Sequence, residues 1–227
     1  MAEAGRDFRG GRRPRLLYLK SYRAFGIDRM GGLVPQDWHY AAIDIYQLAG
    51  AALGEVDVLV VPDMHDQLFL KSIEPRLAAY LAGGGHLLVN GHITEPWLPW
   101  LSPFKAVSPK PFSNWMIRPR DPGAYFGRMD FETFHRHEGI LGQYARGYSD
   151  PPEGAQWLCM IGGPALDGSV IEGPVDWVWR MPGGGKLFVH NGDNIHHFCS
   201  DPRHQPNLFH DILHGLVHSD EPAGIRR

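Results

Sequence analysis

The stretch between Asp57 and His92 leaves this chain few folds to choose from. Val58 to Val61 is a short, unbroken apolar run, the pattern of a parallel strand buried on both faces. Pro62 ends its ladder, and Asp63, His65 and Asp66 follow where the strand stops. Leu70, Ile73, Leu77 and Leu81 then recur at helical spacing. Pro75 fits that helix if Ser72 caps it, because the proline then falls in the first turn, where no intrahelical amide is lost. Gly83, Gly84 and Gly85 stop the helix where left-handed backbone is wanted. Leu87 to Val89 makes the second strand, and Asn90, Gly91 and His92 emerge at its carboxyl end. Strand, crossover helix and strand at this spacing predict a right-handed unit in a parallel sheet. In such sheets, ligands bind in crevices beyond the carboxyl ends of the strands.

The rest of the chain extends that unit. Arg15 to Lys20 reads as a first strand. Asp37 is placed to cap a helix running to about Leu53, with Ile43, Tyr46, Gly50 and Leu53 on one face. The proline-dense segment 93–123 excludes a long helix and a central strand. Its Trp97, Trp100, Phe104, Phe112 and Trp115 read either as a cover tucked onto the domain or as an aromatic wall for a ligand or partner. Arg128 to His137 is expected as a short helix, followed by a polar, glycine-bearing connection over 138–155. Trp157 to Ile161 is a strand, Val170–Ile171 and Val175 to Arg180 read as antiparallel strands, and Lys186 to His190 is another buried one. A final helix starts at Pro206 and carries Leu208, Phe209, Ile212, Leu213, Leu216 and Val217 in one apolar stripe. No repeat or linker divides the chain, so 14–220 reads as one domain behind a disordered tail at 1–13.

Composition removes several classes of function. At 227 residues the chain can bury a substantial core. A formal charge of −3 gives no electrostatic case for a nucleic-acid partner, and the one basic cluster, residues 6–15, reads as solvated tail. No apolar run approaches the ~20 residues that span a bilayer, and the first residues lack the apolar core of a secretory signal. Cys159 and Cys199 make no disulfide framework, which points to the cytoplasm.

Chemistry gathers at the strand ends. Asp63, His65, Asp66, His92, Asp193, His196 and His197 each follow a predicted strand. Histidine beside carboxylate suits proton transfer near neutral pH, and the same pair can hold a metal or merely satisfy backbone groups. His135, His137 and Glu138 form a second group able to approach the same edge. His210 and His214 have zinc-binding spacing, but Asp211 stands where a zinc protease has glutamate, and a solvated helix face is the reading adopted. Cys159 lies mid-strand among apolar neighbours, and no strand-to-helix elbow precedes Cys199.

The run DVLVVP through YLAGGGHLLVNGH (57–92), with the later GGGKLFVHNGDN (183–194), resembles the class I glutamine amidotransferase-like superfamily. Within it, the chain is most similar to ThuA-like (trehalose-utilisation) proteins and to the amidotransferase-like domain of some β-galactosidases. The resemblance covers roughly 15–92 and 156–218, with 93–123 as an insertion. It implies a three-layer α/β sandwich with a mostly parallel, flavodoxin-like sheet and an antiparallel extension. True amidotransferases place a nucleophilic cysteine in the turn after the strand that ends here at Asn90. This chain has Gly91-His92 there, and ThuA-like members similarly carry histidine near this turn. The later strand leads into Gly192-Asp193, where ThuA-like proteins tend to have Gly-His. The implied function is binding of a small polar, carbohydrate-like ligand, with or without its transformation and without a cysteine nucleophile. His92 and Asp193 are the expected catalytic groups; Asp63, His65, Asp66, His196, His197 and Trp97 are the expected binding groups. No cofactor or metal is expected, and self-association is left open. The competing expectations are a non-catalytic assembly module and a metal-dependent hydrolase. An open, polar crevice beside His92 would favour ligand binding; one plugged by aromatic rings would favour the assembly module.

Overall fold

The computed structural model describes residues 12–21, 30–126, 130–137, 139–200 and 208–218. Its strands in chain order are β1 (Arg15–Lys20), β2 (His39–Asp44), β3 (Val58–Val61), β4 (His86–Asn90), β5 (Lys105–Ala106), β6 (Arg118–Pro119), β7 (Arg136–His137), β8 (Ile140–Leu141), β9 (Gly147–Tyr148), β10 (Gln156–Pro164), β11 (Val170–Arg180) and β12 (Lys186–His190). Eight of them form one sheet in the order β2-β1-β3-β4-β12-β11-β10-β6. The first five run parallel, and their order is the flavodoxin-like one. β11, β10 and β6 continue the sheet antiparallel.

Alternation along the strands supplies both faces. Leu16, Tyr18, Val58, Val60, Leu88 and Phe188 face one way, against α3 (Gly123–Phe126) and α5 (Leu208–His218). Leu17, Leu19, Leu59, Val61, Leu87 and Val89 face the other, against α1 (Gln67–Ser72) and α2 (Glu74–Ala82). A short α4 (Glu132–His135) adds Phe134 to the first face. Helices therefore cover both sides of the sheet, which makes the three layers of an α/β sandwich. Lys186 ties two layers together: its buried ammonium donates to the carbonyls of Gly215 and Leu216 in the last turn of α5. Among the described residues, no helix is long and apolar enough to cross a membrane.

Several elements differ from their sequence expectation. The helix expected over 37–53 is instead edge strand β2 followed by a short 3-10 turn, Ile45–Ala49. Residues 39–44 pair in register with β1, Leu17 opposite Ala41, so the open sheet edge supplies the backbone partners that a helix would have supplied internally. Asp44 accepts from the Tyr46 amide and caps the turn, and Ile45, Leu48 and Leu53 bury beneath it. The crossover after β3 is two helices rather than one. Asp66 caps α1 by accepting from the Phe69 amide at 2.9 Å, while the Ser72 hydroxyl donates back to Phe69. Pro75 does fall in the first turn of α2. Val170 to Arg180 is one long strand, because Pro174 sits beyond the ladder with β12 and beside the register shift opposite Cys159 and Met160. Of the expected tail, residues 1–11 lie outside the described residues; Arg12 is held by the fully buried Asp57 carboxyl at 2.6 Å. The expected helix start at Pro206 and residues 128–129 of the expected 128–137 helix also lie outside them.

Candidate functional site

Three parallel strands, β3, β4 and β12, end side by side, and their turns are stitched together by asparagines. Asn90 donates to the Val61 carbonyl at 2.9 Å and accepts from the Ile195 amide at 3.0 Å. Asn194 accepts from the Asp63 amide at 2.9 Å and donates to the Asp63 carboxyl. Side chains that leave these turns cannot separate without breaking those bonds. They open onto a cleft of about 480 Å³, within the range of small-ligand sites. Asp63, His92 and Asp193 all line it.

The turn after β4 is the tightest. Gly91 adopts φ +94°, and a Cβ there would stand 2.9 Å from the Cα of Asp63. His92 is delivered to the cleft by this left-handed residue. Gln67 then clamps the chain beyond it, donating to the His92 carbonyl at 2.8 Å and accepting from the Thr94 and Glu95 amides. Gly91→Ala should lower stability by roughly 1–3 kcal/mol, since both backbone strain and a backbone contact oppose it. The urea midpoint at neutral pH measures this, and an unchanged midpoint would contradict the left-handed turn.

Electrostatics divides the cleft into distinct roles. The His92 ring stacks on Phe104, centroids 3.8 Å apart and planes 17° from parallel. Burial first, then the nearness of His190 and Arg146, pulls its pKa below the ordinary histidine value, against the opposing pull of Asp193. It is therefore a neutral base at pH 7. Burial works against charge on Asp193 as well. The hydrogen bond from Asp63, the nearby His197 and the Asn194 amide outweigh it, so the Asp193 carboxyl titrates below its usual range. The cleft thus holds a hydrogen-bonded carboxyl pair and a neutral imidazole, an acceptor and a donor for protons in one space.

The other expected binding residues lie elsewhere. His65 is buried, its Nδ1 donating to the Pro62 carbonyl at 2.7 Å and its Nε2 accepting from the Trp97 indole at 3.0 Å. Trp97 is wholly buried, so this pair belongs to the core between the sheet and the segment after β4. Asp66 is taken up by the α1 cap and by the Tyr46 hydroxyl at 2.8 Å. His196 turns inward against Tyr18 and Phe209. His197 is exposed and bears on the site through its charge on Asp193. The chain turns within one or two residues after each strand, and that decides which neighbour faces the cleft. Of the second group, the His135 ring is engaged by Glu132 and the Ile117 carbonyl; the His137 side chain and Glu138 lie outside the described residues. The Cys159 thiol is buried, and burial together with Asp176 pushes its pKa well up. The Cys199 side chain also lies outside the described residues. Among the described residues, no three His, Cys, Asp or Glu side chains are grouped to hold one metal ion.

Two parts of the site were not among the sequence expectations. Gly142, Gln143, Ala145 and Arg146 also line the cleft, from the connection after β8, where Ala145 bridges to Gly192. Beneath the floor, the fully buried His190 donates from Nδ1 to Asp176 at 2.7 Å, and the Tyr144 hydroxyl donates to the other Asp176 oxygen at 2.9 Å. The His190 Nε2 is buried without a hydrogen-bond partner among the described residues. A Cβ on Gly192 would overlap the Tyr144 carbonyl and lie 2.8 Å from that nitrogen. The signal that existed was Asp176 itself, a carboxyl in mid-strand between Val175 and Trp177. Compared with known proteins, the chain matches no family model and no curated sequence.

Proposed function

We propose that this protein binds a small polar, carbohydrate-like ligand in the cleft and acts on it by acid–base chemistry without a cysteine nucleophile, as a ThuA-like protein. One observation carries the reading: Asp63, His92 and Asp193, from three different strand ends, line one open cleft. Hydroxyl groups of a ligand would donate to the carboxyl pair, and the neutral His92 imidazole would take a proton from a bound hydroxyl. Among the described residues, no Phe, Tyr or Trp ring lines the crevice. Phe104 lies against His92 and Trp115 against Arg146, so the proline-dense segment backs the polar groups and leaves the space between them open. That favours ligand binding over a purely architectural module. The two-cysteine composition, with a buried free Cys159, supports placing the protein in the cytoplasm.

The test is amide chemical-shift mapping with a panel of mono- and disaccharides, repeated on His92→Ala. Shifts should cluster at residues 63–64, 91–92, 142–146 and 192–193, and His92→Ala should lose them. Its stability should fall by no more than about 1 kcal/mol, the worth of one ring stack. Turnover, followed on any sugar that is consumed, should drop about 10²–10⁴-fold. Its acid limb should lie below the ordinary histidine pKa, because His92 is held neutral. Undiminished binding and turnover in His92→Ala would remove the mechanism.

A further inference from the structure

The connection after β8, which lines the same cleft as the carboxyl pair, brings to it hydrogen-bonding groups that the fold positions and leaves unused. The Arg146 Nε donates to the Gly142 carbonyl at 3.1 Å, and its guanidinium carbon lies 5.4 Å over the Trp115 ring. Those two contacts fix the plane of the fork. Its Nη groups have no partner among the described residues, although two carboxyls line the same cleft. The neighbouring Gln143 has a buried Oε1 with no hydrogen-bond partner among the described residues. An enclosed amide oxygen of this kind costs free energy unless a donor reaches it.

The inventory reads as a negative of its ligand. Gln143 Oε1 and the Asp63–Asp193 pair accept, so they call for hydroxyl donors. The Arg146 fork donates two parallel N–H groups, the geometry that a carboxylate satisfies in bidentate fashion. A neutral sugar would leave that fork unused. A doubly charged phosphate would face the carboxyl pair with Arg146 as the one Lys or Arg among the described lining residues to compensate it. We infer that the cleft takes a polyhydroxylated carboxylate, a sugar acid, with its carboxylate on Arg146 and its hydroxyls on Gln143 and the Asp63–Asp193 pair. This rests on the reading of the cleft as a ligand site and goes further, by naming the charge of the ligand and the residue that selects it.

The experiment uses matched probes on the full chain: D-gluconate against D-glucitol, and D-glucuronate against its neutral methyl ester, by calorimetry and amide shifts. At least one acid should bind about tenfold or more tightly than its neutral partner, with shifts at Arg146 and Gln143. Arg146→Gln should abolish that preference by weakening the acid alone, and Arg146→Lys, which keeps the charge without the fork, should restore only part of it. Urea midpoints establish that both variants are folded. Equal binding of acid and neutral partner, or an acid preference that survives in Arg146→Gln, overturns the sugar-acid inference. If the neutral polyol then still needs His92, the acid–base reading stands. Binding of none of the four probes at millimolar concentration also overturns the inference, and the saccharide panel then decides the broader reading by itself.

Discussion

Lowering the pH from 7.5 to 5 is expected to destabilise this protein by about 4 kcal/mol through His65 and His196 alone. Burial drives both, lowering His65 to about 4 and His196 to about 3. The bonding of His65 agrees, since its Nε2 already accepts the Trp97 indole N–H and has no room for a proton of its own. His196 is packed among Tyr18, His197 and Phe209, with the charge of His197 reinforcing its burial and that of Asp193 opposing it. Above the unfolded value of about 6.5, neither residue is protonated in either state, and neither contributes a pH dependence. Below it, the unfolded chain takes up protons that the folded one refuses. Stability then falls by roughly 1.4 kcal/mol per pH unit for each residue, until the folded pKa is reached. His92 and His214 are depressed too and act in the same direction. Urea midpoints at pH 7.5 and 5 measure the loss, and His196→Phe should remove close to half of it. Equal stability at the two pH values would mean that these rings are not buried as neutral imidazoles.

Asp176→Ala should be the most damaging single substitution near the site, at roughly 3 kcal/mol or more. The carboxyl is fully buried and accepts from three donors at once: the His190 ring, the Tyr144 hydroxyl and the Cys159 thiol. Truncation strands all three in an apolar interior, at about 1–3 kcal/mol for each unmet polar group, the thiol at the bottom of that range. The cavity left behind adds to the loss. Asp176→Asn keeps the volume and one acceptor oxygen but aims an amide N–H₂ at a donor, so it should fall between wild type and alanine. Calorimetric melting of the three proteins at pH 7.5 sets the order. If alanine were as stable as wild type, the buried network would be ornamental.

The parallel half of the sheet was legible in the sequence, because strands buried on both faces are unbroken apolar runs and glycines mark the turns between them. Residues 57–62 and 83–92 behave in this way. The 37–53 stretch misled because YAAIDIYQLAGAAL carries helical spacing and helix-favouring alanines, while the available edge of β1 rewarded an extended chain instead. At the site, the positions just after parallel strands were legible, and Asp63, His92 and Asp193 do share the cleft. Which residue of each turn faces inward was not, since the same turns send His65 to Trp97 and His196 to Tyr18. Arg146 and Gln143 were invisible for another reason. They come from a connection without periodicity, and only the three-dimensional path of that loop aims them at the cleft.

The place of β12 in the sheet has a consequence for how the protein comes into being. It pairs with β4 at a separation of one hundred residues, Leu87 against Leu187, while Asp63 is bonded to Asn194 across 131. Contacts so distant in sequence form late, after the entropy of closing long loops has been met. A chain emerging from the ribosome therefore carries Asp63 and His92 as ordinary solvated turn residues for most of its synthesis. The cleft comes into existence only when residues 186–194 arrive, so nascent or truncated chains ending before them should have β1, β3 and β4 and no binding site.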